Sequence, residues 1–178
     1  MRTQIVLTLT GSDRIGIVET VTKRLLELDG NVETSRMARL GGEFAMLMLF
    51  TVPDENLAGL SQAVQQLNAQ GFTVTAIPTK PAPAEAQPAG RPYQIDVQGA
   101  DHEGIINEIA HHLSQNRINI ESLETGLVRA PISGSPLFTM SARVLVPPDL
   151  PGQSWEAELG NLEHRLDVDI SITALDLA

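Results

Sequence analysis

The sequence predicts an α+β fold built from two small modules of one plan, each with the order β-α-β-β-α-β. Three observations carry this prediction. The chain repeats itself, a proline-rich stretch separates the copies, and each copy alternates strand-like and helix-like hydrophobic periods.

The repeat is read directly from the residues. Gly11-Ser12-Asp13-Arg14-Ile15-Gly16-Ile17-Val18 returns as Gly99-Ala100-Asp101-His102-Glu103-Gly104-Ile105-Ile106, 88 residues further on. The same offset holds without a gap through Val21/Ile109, Leu25/Leu113, Asn31/Asn119, Val32/Ile120 and Glu33/Glu121. Between the copies, residues 78–92 carry five prolines. Proline lacks a backbone donor and favours extended chain, so this stretch reads as a semi-rigid linker. The expected division is a first module over residues 1–80, a linker over 81–92 and a second module over 93–178.

In the first copy, Ile5, Leu7 and Leu9 alternate along Thr3 to Thr10, the mark of a half-buried strand. Ile17, Val18, Val21, Leu25 and Leu28 share one face of a helix by their spacing, and Gly30 is expected to stop it. Val32 to Leu40 and Glu43 to Val52 read as strands joined by a tight Gly41-Gly42 turn. A second helix is expected over Asn56 to Gln70, with Leu57, Leu60, Val64 and Leu67 inward, and a fourth strand over Phe72 to Ile77. The second copy repeats this with Tyr93 to Gln98, Ile105 to Asn116, Ile120 to Arg129, Leu137 to Val146, Trp155 to Leu166 and Val168 to Leu175. There the tight turn is replaced by the longer Ala130 to Pro136 loop. This order is the split βαβ, ferredoxin-like plan: a four-stranded antiparallel sheet with both helices on one face. The opposite sheet face then calls for a cover, within the chain or from a second copy, so a homo-oligomer is expected.

Composition narrows the function. The 178 residues are 42% hydrophobic but only 3% aromatic, with one Trp and one Tyr, so the cores must be largely aliphatic. Twelve Lys and Arg stand against 22 Asp and Glu, a formal net charge of −10. Proteins that grip a phosphate backbone do so with clustered cations, and no such cluster is visible, so direct nucleic-acid binding is disfavoured. No cysteine is present, which excludes disulfides, thiolate metal sites and cysteine nucleophiles. No signal peptide is read at the start, and no apolar run reaches the roughly 20 residues that span a bilayer. A soluble, cytoplasmic protein is expected. His111 and His112 point about 100° apart on a helix rather than forming a chelating pair, and His102 is alone on a loop, so no metal site is expected. No nucleophile elbow, phosphate-binding loop or dinucleotide fingerprint is found, so neither a catalytic centre nor a cofactor is expected.

The strand followed by Asp13-Arg14-Ile15-Gly16-Ile17-Val18, and Gly30-Asn31-Val32 opening the next strand, resemble an ACT domain. The resemblance covers nearly the whole chain, twice, apart from the linker. Asn31 to Phe44 is similar to the first module of the glycine cleavage system transcriptional repressor family, and Ala130 to Phe138 resembles the long second-module loop of some members. Two departures stand out: Ile15 where the family usually has Pro, and His102-Glu103 in place of Arg-Pro.

A glycine at a helix N-terminus lets a ligand approach backbone N–H groups that favour a carboxylate. Asn31 or Asn119 offers an acceptor and two donors. The ligand site expected by resemblance is therefore Asp13, Arg14, Gly16, Ile17 and Asn31, with Asp101, Gly104, Ile105 and Asn119 as a weaker second-module counterpart. The alternative is that Asp13 and Asp101 are N-caps and the glycines serve packing. Arg36, Arg39 and Glu43 flank the first hairpin and read as solvated charges. The resemblance implies a small amino acid as effector, glycine first, and a protein partner such as a transcriptional activator. The alternative is a regulatory subunit of an enzyme in amino-acid or one-carbon metabolism. Formyltetrahydrofolate deformylases and phosphoserine phosphatases carry similar modules, fused to catalytic domains.

The charge balance generates a direct test. The purified protein is expected not to shift duplex DNA at ~150 mM salt. A promoter-specific shift by the protein alone would overturn that expectation.

Overall fold

The computed structural model of the chain describes residues 1–80, 90–130 and 134–176. The expected linker therefore lies mostly outside the described residues, as does the middle of the Ala130 to Pro136 loop. The chain divides into two units, Met1–Pro81 and Ala82–Ala178.

The first unit comprises β1 (Arg2–Ser12), α1 (Ile17–Leu26), β2 (Asn31–Leu40), β3 (Glu43–Pro53), α2 (Leu60–Ala69) and β4 (Thr73–Thr79). The second comprises β5 (Arg91–Ala100), α3 (Ile105–Gln115), β6 (Asn119–Arg129), β7 (Pro136–Val146), α4 (Gly152–Leu166) and β8 (Val168–Ala174). The sheet orders are β2-β3-β1-β4 and β6-β7-β5-β8, antiparallel throughout. This is the predicted α+β plan, twice. Because β1 and β2 both run antiparallel to β3, they run parallel to each other, joined by the α1 crossover.

The alternating residues of each sheet bury one face. Ile5, Leu7 and Leu9 of β1 pack with Met46, Met48 and Phe50 of β3 under Ile17, Val21 and Leu25 of α1. In the second unit Ile95 and Val97 pack with Met140, Ala142 and Val144 under Ile109 and Leu113, around the fully buried Trp155. Each such Val, Leu, Ile, Phe or Met side chain contributes about 1.5–3 kcal/mol on burial. Tyr93 meets Trp155 edge-on, with ring centroids 5.4 Å apart.

Several local expectations are corrected. Val18, predicted inward, is 42% exposed, and Leu28 is only partly buried. Helix α1 ends at a left-handed Asp29 (φ 52°) rather than through a positive φ at Gly30; a Cβ on Gly30 would sit 2.8 Å from the Leu25 carbonyl. The second helix does not begin at Asn56. Asp54–Gly59 form a 3₁₀ turn, because Asn56 Nδ2 donates to the Leu28 carbonyl at 3.2 Å and to Asp29 Oδ2 at 3.0 Å, tying the turn to the end of α1. Strand β5 begins at Arg91, inside the stretch read as linker, and Pro92, opposite Leu145 of β7, accepts from the Leu175 amide at 2.9 Å just past β8. Helix α4 begins a turn earlier than expected, at Gly152. Both units also share a bulge on the second strand, at Glu33 and Glu121, that periodicity did not reveal. Glu33 accepts from Gln4 and Glu121 from Arg143. Among the described residues no helix is long and apolar enough to cross a membrane.

Glycines at repeat-equivalent positions hold each fourth strand close to the first. A Cβ on Gly11 would lie 2.8 Å from Phe72 Cδ1. One on Gly99 would lie 2.6 Å from Val168 Cγ1 and 2.9 Å from the Val168 backbone. Gly99→Ala is expected to cost the second unit roughly 1–3 kcal/mol through overpacking. Trp155 and Tyr93 both lie in that unit, so fluorescence reads its unfolding alone. Its midpoint should fall while the first unit's far-UV dichroism transition stays in place. One coincident, equally shifted transition would show instead that the units unfold together.

Candidate functional site

The loop from β1 into α1 is held at three points. The Asp13 amide donates to the Gly42 carbonyl at 2.9 Å, pinning the loop to the β2–β3 turn, where Gly41 takes positive φ (66°). The Asp13 carboxylate accepts from Arg39 Nε at 2.8 Å. Arg14 Nη2 donates to the Gln70 carbonyl at 3.0 Å, at the C-terminus of α2, with its guanidinium 4.4 Å over the Phe72 ring. A cation at a helix C-terminus is favoured by the helix dipole. Arg39 is thus the ion-pair partner of Asp13 while its side chain stays 71% exposed, as the solvated reading expected, and Asp13 does not cap α1. Arg36 and Glu43 lie exposed beside the turn, where Glu43 Oε1 accepts from Ser12 Oγ at 3.4 Å.

The N-cap of α1 is Gly16 itself, in the left-handed conformation (φ 91°, ψ 6°), and no side chain caps the helix. Its carbonyl accepts from the Thr20 amide and hydroxyl at 2.9 and 2.8 Å. The first-turn N–H groups therefore open toward the loop without a carboxylate or hydroxyl of the chain upon them. Nothing lies within 4 Å of a Cβ built on Gly16. Backbone conformation, not crowding, is what requires glycine here. Ile15, next to it, is fully exposed at 105%. The Ile17 side chain is buried in the core, so only its backbone amide can face a ligand.

The second unit repeats the architecture with different chemistry. Gly104 (φ 98°, ψ −14°) starts α3, again without a side-chain cap, and Ile105 is buried. His102 occupies the place of Arg14 and reaches the same kind of target: Nε2 lies 2.7 Å from the Leu166 carbonyl at the end of α4, and Nδ1 lies 3.0 Å from the Glu103 carbonyl. Leu127 stands where Arg39 does, so Asp101 lacks the equivalent ion pair. The first loop thus has two cations, Arg14 and Arg39, and two carboxylates, Asp13 and Glu43, at its end of the sheet. The second gathers Asp101 and Glu103 around a histidine.

The structure brings Asp13, Arg14, Gly16 and Ile17 together but not Asn31. Asn31 pairs with Thr51 at the far end of β3, whereas the Gly16 loop follows Ser12, which pairs with Glu43. Eight strand residues separate these ends, about 26 Å. Asn119, opposite Leu145, is likewise separated from Gly104. Within one module the two halves of the expected site do not meet. The latches from Arg14 and His102 to the second helix were missed, although both are basic side chains two residues before the loop glycine. Among the described residues no group of three His, Asp or Glu side chains could hold a metal ion. His112 is instead engaged by the Trp155 carbonyl (3.1 Å) and Glu158 (3.5 Å).

Comparison with known proteins agrees with this architecture. The family profile described as ACT domain matches residues 3–76. The glycine cleavage system transcriptional repressor of Escherichia coli (strain K12) is 28% identical over 120 residues, 67% of this chain and 62% of that protein. The chain thus aligns with less than two thirds of that relative's length. A crystal structure of a protein of unknown function from Galdieria sulphuraria is 32% identical, covers 99% of this chain and 100% of its own, and superposes with a TM-score of 0.82. A second crystal structure, provisionally described as a glycine cleavage system transcriptional repressor, shares the fold over 99% of both chains at a TM-score of 0.70 and 23% identity.

The His102 latch carries a pH prediction. Both ring nitrogens face carbonyl oxygens, an arrangement satisfied fully only by the imidazolium. The pKa is accordingly raised from 6.5, chiefly by the Leu166 and then the Glu103 carbonyl. Partial desolvation opposes this, and the Asp101 and Asp167 carboxylates reinforce it. Protonation is favoured in the folded state, so the stabilisation is complete below pH 6.5 and is lost as pH rises through the raised value. The gap in unfolding midpoint between wild type and His102→Ala, followed by Trp155 fluorescence, should shrink between about pH 5.5 and about pH 8.5. A gap that stays constant would rule out a charged latch.

Proposed function

We propose that this chain, whose first module matches the ACT-domain profile, is a non-catalytic regulator that binds a small amino acid at that module's Gly16 loop and acts on transcription through a protein partner. The observation that carries this reading is the uncapped, left-handed glycine start of α1 beside Arg14 and Arg39. Backbone N–H groups and the helix dipole there favour a carboxylate.

The similarity to the glycine cleavage system transcriptional repressor supports glycine as the first effector to test. It also supports transcription as the output. The acidic balance supports action through a protein rather than by gripping DNA. No group near the loop offers covalent chemistry; the site binds and reports. Asn31 belongs to the other end of the module and is not assigned to this ligand.

Calorimetry with glycine, serine and the other amino acids tests the reading. Ile15 is fully exposed, so Ile15→Glu should fold normally while placing a carboxylate at the helix start, weakening binding by on the order of 1 kcal/mol, several-fold in affinity. Asn31→Ala should leave affinity unchanged. If no amino acid binds wild type, effector sensing falls and only a protein-interaction role is left. If Asn31→Ala weakens binding and Ile15→Glu does not, the site lies elsewhere.

A further inference from the structure

The passage from the second helix to the fourth strand is built differently in the two units. A Cβ on Gly11 would lie 3.4 Å from the Gly71 carbonyl oxygen, and one on Gly99 would lie 3.0 Å from that of Asp167, so Gly71 and Asp167 hold equivalent places. Both take positive φ, 90° at Gly71 and 52° at Asp167. Glycine adopts this conformation freely. Aspartate tolerates it better than most residues, yet its Cβ still crowds a backbone carbonyl. Helix α4 therefore enters β8 through one strained residue, whereas the first unit is relaxed at the same point.

The latch upon that turn differs as well. Arg14 donates to the Gln70 carbonyl, directly before Gly71, through a guanidinium, a group charged at every physiological pH. His102 reaches the Leu166 carbonyl, directly before Asp167, at 2.7 Å, with its other ring nitrogen 3.0 Å from the Glu103 carbonyl. An imidazolium donates to both. A neutral imidazole carries one N–H, so one of its nitrogens must then turn a lone pair on a carbonyl oxygen. The charges around the ring are mostly acidic. Asp101 and Asp167 both favour its proton. Glu163, His164 and Asp169 line a hollow together with Asp167, while Glu108 and Arg165 pair with each other at 2.8 Å between α3 and α4.

We propose that His102 and Asp167 form a pH-sensitive switch in the second unit: the imidazolium clamps the strained turn to the loop before α3, and loss of its proton releases that turn and the start of β8. Two features make the release local. Trp155, Leu159 and Leu162 keep α4 in the core whatever the state of the latch. Strand β8 lies at the edge of its sheet and pairs only with β5, so its first residues have no second strand to hold them. The first unit lacks both halves of the switch, having a permanent cation at Arg14 and a relaxed turn at Gly71. Only the second unit should therefore open as pH rises. This proposal does not rest on the effector reading.

Two equivalent amides report the opening. The Ile170 amide donates to Glu163 Oε1 at 3.1 Å, and in the first unit the Val74 amide donates to Asn68 Oδ1 at 2.8 Å. Hydrogen exchange of the full chain, followed by NMR and expressed as protection relative to an unstructured peptide at each pH, tests the switch. Protection at Ile170 should fall several-fold from about pH 6 to about pH 8.5. Val74, and Leu113 inside α3, should keep theirs. His102→Arg, the residue of the first unit, should hold Ile170 protected across the range. Asp167→Gly should diminish the fall by removing the strain. Ile170 protection that changes no more than that of Val74, a fall that persists in His102→Arg, or one undiminished in Asp167→Gly would overturn the proposal.

Discussion

The parallel relation of β1 and β2 governs what the rest of each module can do. A strand, a crossover helix and a second parallel strand place the end of the first strand and the start of the second at opposite ends of the sheet. Here that separates the Gly16 loop from Asn31 by most of the sheet's length, and Gly104 from Asn119 in the same way. The loop is consequently stabilised by what lies at its own end: the Gly41-Gly42 turn through Asp13, and the end of α2 through Arg14. Those contacts leave the first turn of α1 as the loop's open polar feature.

Duplication makes the second unit an internal control for the first. Gly16 and Gly104 keep the left-handed start, Gly11 and Gly99 keep the close approach to the fourth strand, and Glu33 and Glu121 keep the bulge. These are backbone requirements of the fold, so their retention says little about function. The differences carry more information. Arg14 becomes His102, Arg39 becomes Leu127, and the sheet face turned away from the helices exchanges Val6, Leu47, Leu49 and Ile77 for Gln94, Ser141, Arg143 and Thr173. None of these changes touches a core, so the two units keep one fold while presenting different chemistry.

The plan of the fold was legible because burial writes a period into the sequence: Ile5, Leu7 and Leu9 at two, and Ile17, Val21 and Leu25 at three to four. The repeat removed most ambiguity of order. What remained illegible depends on contacts between residues far apart in the chain. The 3₁₀ onset before α2 is set by Asn56 reaching Leu28 and Asp29. The role of Arg14 is set by Gln70 and Phe72, and that of Arg39 by Asp13. The separation of Asn31 from Gly16 was different in kind. It followed from the predicted strand order itself, because a parallel β1–α1–β2 unit cannot bring those residues together. The resemblance placed both in one site, and topology divides them.

The Gly16 loop and the β2–β3 hairpin of the first unit share a physical element. Asp13 is hydrogen-bonded to Gly42, and Arg39, its ion-pair partner, directly follows Ala38 on β2. Ala45, paired with Ala38, lies two residues beyond Glu43, where β3 begins. The second unit, with Leu127 in place of Arg39, lacks the ion pair that ties the first loop to β2.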